Sequence, residues 1–235
     1  MRALLLAASV FVAACGAATP SHPVEPAPAG MPEGPLATAG PPHDASHRFE
    51  HAEDWVRLFE GPERDAWQRP DALVALLQIE AGQTVADVGT GTGYLVARLS
   101  RAVGPRGRVL AEDIEPDMVR YVRERAAREG LTNVEPLLGT PDDPRLPAGA
   151  VDRVIVVDTW HHVRDRVSFA KKLADALRPG GFVAVVDFTM ESERGPGRAQ
   201  RVQADATVRE LSAAGLRAEI ATEDLPEQWV VLGRK

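Results

Sequence analysis

The chain has 235 residues, a formal net charge of −7 at pH 7, and a hydrophobic fraction of 44%. This size suits one globular domain with some additional chain. The acidic balance argues against a nucleic-acid-binding surface, which should be basic. The single cysteine lies at position 15, so the folded part is predicted to contain no disulfide.

The first 15 residues have the pattern of a secretory signal. Arg2 supplies one positive charge, and residues 3–14 form an apolar run that is too short to span a bilayer as a mature helix. The run ends in Val-Ala-Ala-Cys, which resembles a bacterial lipobox and predicts cleavage before Cys15 and lipidation of it. Gly16 then favours, by the same resemblance, the periplasmic face of a Gram-negative outer membrane. Membrane contact is expected only through this anchor.

Two alternatives to the lipid anchor stay open. The segment can be an ordinary signal peptide with a chance cysteine, or translation can start at Met31, which would make the protein cytoplasmic. Residues 16–48 are rich in proline, alanine and glycine and lack apolar periodicity. They are therefore predicted to be a disordered tether, with residues 49–235 as the globular domain.

In the globular part, strand-like and helix-like patterns alternate. Helices are predicted from Pro70, over 94–103, at Pro116–Glu129, along the stripe Phe169, Leu173 and Leu177, and over 204–214. Strands are predicted at Thr84–Val88, 108–114, Val134–Leu138, Val151–Val157, 182–187, 216–221 and 228–232. This alternation predicts an α/β fold with a doubly wound, mostly parallel sheet. Ligands of such sheets bind beyond the carboxyl ends of the strands.

Three glycines at alternate positions, Gly89, Gly91 and Gly93, follow the first strand and precede a helix. Glycine permits positive φ and close ligand approach, and free N–H groups at a helix start favour a polar or anionic group. Nicotinamide sites need G-x-G-x-x-G, but Tyr94 and Val96 occupy the required last position in the two possible registers. The loop therefore predicts a nucleotide-like cofactor other than NAD.

The carboxylate at the end of the second strand, Asp113, can accept hydrogen bonds from two vicinal ribose hydroxyls. Together with the glycine loop 87–93, residues 111–118 and the Leu-Arg-Pro-Gly-Gly segment at 177–181, it resembles the class I S-adenosylmethionine-dependent methyltransferases over residues 54–235. The resemblance implies a seven-stranded Rossmann-like sheet and S-adenosyl-L-methionine as cofactor. Residues 138–147 and 158–163 resemble a bacterial subgroup with small-molecule acceptors.

The resemblance also implies roles for individual residues. Cofactor contacts are implied for the methionine side at Asp87, Gly89, Gly91 and Gly93, for the ribose at Asp113, and for the adenine at Ile114 and at Asp142 or Asp143. Thr140 follows Gly139 where the common pattern has an acid, so the adenine contact is less secure than the ribose contact. Asp87 can instead tie the loop to backbone N–H groups, and Asp142 and Asp143 can instead form a turn.

The acceptor is expected near the end of the fourth strand. There Asp158 is implied to face the transferring methyl group, and His161 and His162 are candidate general bases because histidine titrates near neutral pH. The two histidines can instead cap or pack. Asp187 ends the fifth strand and can touch the acceptor or form a turn, and Trp160 is interpreted as a core aromatic.

The favoured interpretation is an envelope-anchored methyltransferase acting on a small molecule, with no nucleic-acid partner and no metal site. The alternatives are a non-catalytic cofactor-binding lipoprotein module and, less favoured, a nicotinamide-dependent oxidoreductase. No H-E-x-x-H or G-x-S-x-G motif supports a metalloprotease or an α/β-hydrolase. The absence of Asn-Pro-Pro-Tyr weakens nitrogen acceptors in nucleic acids or proteins. The sequence does not indicate the oligomeric state.

Overall fold

A computed structural model describes residues 49–222 and 225–235. The predicted signal peptide, Cys15, Met31 and the tether lie outside the described residues. Within the described residues, α-helices occupy Ala52–Phe59 (α1), Arg64–Gln68 (α2), Pro70–Leu76 (α3), Val96–Val103 (α4), Pro116–Glu129 (α5), Arg166–Ala176 (α6) and Ala204–Ala213 (α7). Seven strands occupy Thr84–Val88 (β1), Arg108–Asp113 (β2), Val134–Leu138 (β3), Val151–Val157 (β4), Leu177–Phe188 (β5), Arg217–Ile220 (β6) and Gln228–Arg234 (β7).

The strands form one sheet in the order β3-β2-β1-β4-β5-β7-β6. Strands β1 to β5 pair in parallel, and β7 is antiparallel to both β5 and β6. The predicted α/β class with a mostly parallel seven-stranded sheet is confirmed. Strand order reverses between β1 and β4, and that is where open α/β sheets form a ligand-binding crevice.

Each face of the sheet has its own apolar core, because parallel strands are covered by helices on both sides. On one face Leu73, Leu99 and Val122 from α3, α4 and α5 pack against the sheet. On the other face the packing residues include Phe169 of α6 and Leu211 of α7. All five residues of β1 are buried, which matches its central position.

Element boundaries differ from the predictions at several places, most clearly at α4, β2 and β5, and Leu177, which was predicted on a helix stripe, belongs to β5. Helix α4 begins at Val96, two residues later than predicted, because the glycine loop continues as turns. Strand β2 ends at Asp113, so Ile114 lies beyond it. Strand β5 begins at Leu177, before the Pro-Gly-Gly segment that predicts a turn, because Leu177 pairs with Val151 ahead of a register shift.

The two short N-terminal helices are the main elements that the periodicity did not specify. In α1 only Ala52 is buried, and Leu58 is 60% exposed, so the apolar face is incomplete. Helix α2 is only five residues long. Within the part of the chain described here, no helix is both long and apolar enough to cross a membrane.

Candidate functional site

The glycine loop lies at the carboxyl end of β1, in the crevice between β1 and β4. Gly89 and Gly91 have φ values of +72° and +56°, in the region that favours glycine. A Cβ at Gly89 would lie 2.3 Å from Oγ1 of Thr159, which follows β4. A Cβ at Gly91 would lie 3.4 Å from the Phe59 ring of α1. The loop is therefore packed between the end of β4 and α1, and larger residues would open it.

The carboxylate of Asp87 stabilises the glycine loop. Oγ1 of Thr90 donates to its carboxylate at 2.9 Å. Burial raises the pKa of Asp87 to about 6, against the opposing effects of the Thr90 hydrogen bond and of Arg64. Asp87 therefore holds the glycine loop in place, which is the alternative role that the sequence suggested. It does so through the hydroxyl of Thr90 and not through backbone N–H groups.

Asp113 lies under the same loop at the end of β2. Its carboxylate accepts hydrogen bonds from the backbone N–H of Gly91 at 2.8 Å and of Glu115 at 2.9 Å. Burial raises its pKa to about 6, although both hydrogen bonds oppose the rise. The structure thus brings the predicted ribose acceptor and the predicted glycine loop into direct contact.

Glu112 is a buried carboxyl that sequence reasoning missed. The N–H of Gly89 donates to one of its oxygens at 3.3 Å, and Oε1 has no partner in the described structure. Burial, reinforced by the charge of Asp113, raises its pKa well above the ordinary range. A Cβ at Gly139 would collide with Oε1. An acid directly after the apolar residues 109–111 of β2 was the available signal, because a buried carboxyl is rare without a partner.

Two exposed apolar side chains flank the outer end of the crevice. Ile114 is 46% exposed and directly follows β2, and Leu138 is 39% exposed and ends β3. The two strands are neighbours, and Leu138 pairs in register with Asp113, the residue before Ile114. Ile114 was predicted to flank the adenine, whereas Leu138 was missed. Both are exposed apolar side chains next to Asp113 in sequence or in strand register.

Asp142 and Asp143, the two acids after β3, have different surroundings. Asp143 accepts the N–H of Arg145 at 2.8 Å, and its backbone pairs with Thr140 in a tight turn. Its carboxylate also lies 3.4 Å from Nζ of Lys172. The turn alternative therefore describes Asp143, while Asp142 is exposed and remains the predicted adenine contact.

Asp158 directly follows β4 and has a φ of +53°, which is uncommon outside glycine. Its carboxylate lies 3.1 Å from Nη2 of Arg64 and accepts a hydrogen bond from the side-chain amide of Gln228. Burial raises its pKa to about 6, and Arg64 opposes that rise. Asp158 lies in the predicted region with both oxygens engaged, and its role towards the methyl group stays a prediction.

Arg64 of α2 is another residue that sequence reasoning missed. Its guanidinium lies 4.1 Å from the centre of the Tyr94 ring and donates to the carbonyl of Phe59 and the side chain of Gln68. It is therefore a cation fixed between the N-terminal helices and the crevice. No local motif marks it, because its partner Asp158 lies 94 residues away.

The two histidines after β4 have different environments. Nδ1 of His161 lies 2.9 Å and 3.0 Å from the two carboxylate oxygens of Asp187. The same carboxylate accepts a hydrogen bond from the backbone N–H of His161 at 3.0 Å. The side chain of His161 is 5% exposed and that of Asp187 is 1% exposed. His162 is exposed and meets the Phe49 ring edge-on. Trp160 is fully buried, as its core interpretation predicted.

A cleft of about 640 Å³ opens beside this pair. Its lining residues are His161, His162, Val163, Arg164, Arg166, Met190, Ala199, Gln200, Arg201, Val202, Gln203 and Ala206. Within the described ranges, no cluster of three or more His, Cys, Asp or Glu side chains is arranged to hold a metal ion. The site therefore combines a glycine-loop crevice with a cleft that contains a carboxylate-oriented imidazole.

Residues 85–181 match a family model described as a methyltransferase domain. Among curated proteins, a ubiquinone/menaquinone biosynthesis C-methyltransferase of Enterobacter sp. (strain 638) is 32% identical over 112 residues, covering 47% of this chain and 45% of the relative. The corresponding protein of Pseudomonas putida is 26% identical over 153 residues, covering 65% and 58%. The chain thus spans about half the length of the curated relatives it matches.

Among solved structures, an S-adenosylmethionine-dependent methyltransferase from Aquifex aeolicus superposes with a TM-score of 0.72 at 27% identity. The match covers 77% of this chain and 97% of that one. The domain match covers less than half of this chain, so these findings establish a likeness to methyltransferase domains and to the fold of that S-adenosylmethionine-dependent enzyme.

Proposed function

We propose that this chain transfers a methyl group from S-adenosyl-L-methionine to a small-molecule acceptor, with His161 removing the acceptor's proton. One observation carries the proposal. The glycine loop, Asp113 and the His161–Asp187 pair all lie at the carboxyl ends of strands on either side of the point where strand order reverses. This shared edge of the sheet supports the proposal of a cofactor site next to a proton acceptor.

The residues present fit this cofactor. S-adenosyl-L-methionine carries a sulfonium and an ammonium, and the crevice contains the carboxyls of Asp87, Asp113 and Asp158. The apolar pair Ile114 and Leu138 would hold the adenine, and Asp113 would hold the ribose. When bound, the cofactor supplies a methyl group whose bond to sulfur breaks with its electron pair left on sulfur as the acceptor's lone pair bonds to the carbon.

The chain's own contribution to the reaction is orientation and proton removal. Asp187 fixes the ring of His161 through Nδ1, so that Nε2 is the ring nitrogen left to accept a proton. His161 also lines the cleft, where an acceptor would lie. A base is required whenever the acceptor arrives protonated, and alignment in a closed site supplies much of the remaining rate.

Direct measurement of cofactor binding tests the proposal. Isothermal titration calorimetry on the purified chain is expected to give a dissociation constant of about 1 μM, near −8 kcal/mol, for S-adenosyl-L-methionine or its demethylated product. NADH is the control ligand and should give no heat. Absence of heat with both S-adenosyl-L-methionine and its demethylated product would contradict the proposal. Binding without turnover on any acceptor would favour the non-catalytic module instead.

We also propose that the protein is anchored in the bacterial envelope by lipid at Cys15. The lipobox-like Val-Ala-Ala-Cys and the preceding charged and apolar pattern support this proposal. Cells fed a radioactive fatty acid are expected to label the wild-type protein and not the Cys15→Ser variant. Ala18→Ser, a nearby change outside the motif, is the control and should stay labelled. Unlabelled wild-type protein would refute the anchor.

A further inference from the structure

The cleft beside His161 concentrates positive charge in a chain whose formal net charge is −7. Three arginines and two histidines line it, and among the residues that the structure describes no aspartate or glutamate belongs to its lining. A cluster of one sign in a concave surface strengthens the local potential and attracts ligands of the opposite charge. The cleft therefore favours an anion.

Arg201 carries a positive charge with no aspartate or glutamate partner among the described residues. Its guanidinium donates to four backbone carbonyls, those of Pro196 at 2.9 Å, Thr189 at 2.8 Å, Ser192 at 2.7 Å and Arg194 at 2.7 Å. Carbonyl groups carry no net charge, so the hydrogen bonds hold the side chain in place without cancelling its positive charge. The loop that follows β5 is thus folded around a cation at the cleft wall.

The other two arginines differ in their partners. Arg166 lies 2.8 Å from Glu210, so its charge is largely compensated. Arg164 is exposed, and no hydrogen bond or ion pair to it is seen within residues 49–222 and 225–235. The acids nearest in sequence lie outside the lining, since Asp165 accepts the N–H of Ser168 at the start of α6 and Asp187 is held by His161. Within the described residues, Arg164 and Arg201 are therefore the lining arginines without a carboxylate partner.

We propose that this cleft binds the methyl acceptor through an anionic group, a carboxylate or a phosphate monoester, attracted by Arg164 and Arg201. The apolar part of the acceptor would lie against Val163, Met190 and Val202, which share the lining. The volume of about 640 Å³ is within the usual range for small-molecule sites. This inference rests on the proposed function, because it names the acceptor class of the same site.

Probes that share a phenol ring and carry either an anionic or a neutral polar group test the inference. The full-length chain, with and without the demethylated cofactor, is titrated with 4-hydroxybenzoate, 4-hydroxyphenyl phosphate and the neutral 4-hydroxybenzamide. Binding is followed through the imidazole NMR signals of His161 and His162. The anions are expected to bind about tenfold or more tightly than the amide, because hydrogen bonds to charged groups are stronger than neutral ones. The better of the two anions distinguishes a carboxylate from a phosphate site.

Charge removal supplies the second arm of the test. Arg164→Gln is expected to weaken anion binding by about two- to fivefold, the range for a solvent-exposed charge pair, and to leave amide binding unchanged. Arg209→Gln, which removes an exposed arginine of α7 outside the cleft, is the matched control and should have no effect. Raising the salt concentration should reduce the anion preference of the wild type and have less effect on Arg164→Gln.

The outcomes separate this inference from the proposed function. Equal binding of amide and anions, no binding of any probe at millimolar concentration, or equal effects of the Arg164 and Arg209 changes would overturn the anionic-acceptor inference, even if calorimetry shows cofactor binding. If the anions bind beside His161 more tightly than the amide but the protein does not bind the cofactor, the cleft is an anion site and the methyltransferase proposal is refuted.

Discussion

Replacing His161 by asparagine is expected to lower methyl transfer by about 100- to 10,000-fold, the usual contribution of a positioned general base. Asparagine removes the proton-accepting Nε2, and the other binding groups of the crevice remain in place. Cofactor affinity should therefore stay within about twofold of the wild type, because His161 lines the cleft and not the glycine loop. Turnover is measured as release of the demethylated cofactor, with a small-molecule cell extract as the acceptor pool.

The adjacent histidine provides the matched control. His162→Asn removes an exposed imidazole that contacts the rings of Phe49 and His161, and its effect on turnover should be well below that of His161→Asn because Nε2 of His161 stays in place. Asp187→Asn should lie between the two, since the imidazole loses the carboxylate that orients it. Activity of the His161 variant should recover as pH rises towards the acceptor's own ionisation. Equal losses of turnover for His161→Asn and His162→Asn would contradict the role of His161 as the general base.

Replacing Asp113 by asparagine is expected to weaken cofactor binding by about 30- to 100-fold. The wild-type carboxylate accepts the N–H groups of Gly91 and Glu115, and it would accept the ribose hydroxyls in the complex. Asparagine keeps one acceptor oxygen and presents an NH₂ group to donors. Each charge-assisted hydrogen bond lost costs about 1.5–3 kcal/mol. Isothermal titration calorimetry measures the change.

The same carboxyl predicts a pH dependence of cofactor affinity. Burial raises the pKa of Asp113 to about 6, so the free site holds a proton at pH 5 and has lost it at pH 7. The ionised form accepts the hydroxyls, and protonation therefore competes with binding. For one group with this pKa, affinity should fall about tenfold from pH 7 to pH 5. Asp87, whose pKa burial also raises to about 6, would steepen the fall.

A distant aspartate controls for charge and folding. Asp175 is exposed on α6, and Asp175→Asn should leave both affinity and its pH profile unchanged. Thermal unfolding of each variant shows whether the domain is intact. Wild-type affinity that stays constant between pH 5 and pH 7, with Asp113→Asn binding as tightly as Asp175→Asn, would show that the carboxylate does not hold the cofactor.

Local sequence patterns predicted most of the sheet. Strands β1, β3 and β4 and helix α5 have the predicted bounds, because β-branched runs and helical apolar spacing are strong there. Strand β5 was predicted too short, since Pro179, Gly180 and Gly181 predict a turn. Pairing of Leu177 with Val151 extends the strand past that local preference. Tertiary pairing is what decided this boundary.

The predicted site residues on the loop and strand ends lie together at one edge of the sheet, as expected from the topology. The pairings between them could not be predicted, because they depend on side-chain packing across long separations. Arg64 with Asp158 and His161 with Asp187 are examples, since nothing in either partner's own segment marks the pairing. Glu112 differs, because its position directly after the apolar residues 109–111 of β2 was visible and was not used.

The contact between Gln68 and Gln228 joins residues 160 positions apart and links the second helix to the last strand. Gln228 also donates to Asp158, which in turn pairs with Arg64. A chain emerging from the ribosome therefore cannot complete this crevice until its final strand has been synthesised. Shortening the protein at its C-terminus by one strand would remove a side chain that holds Asp158, although the glycine loop itself lies more than a hundred residues earlier.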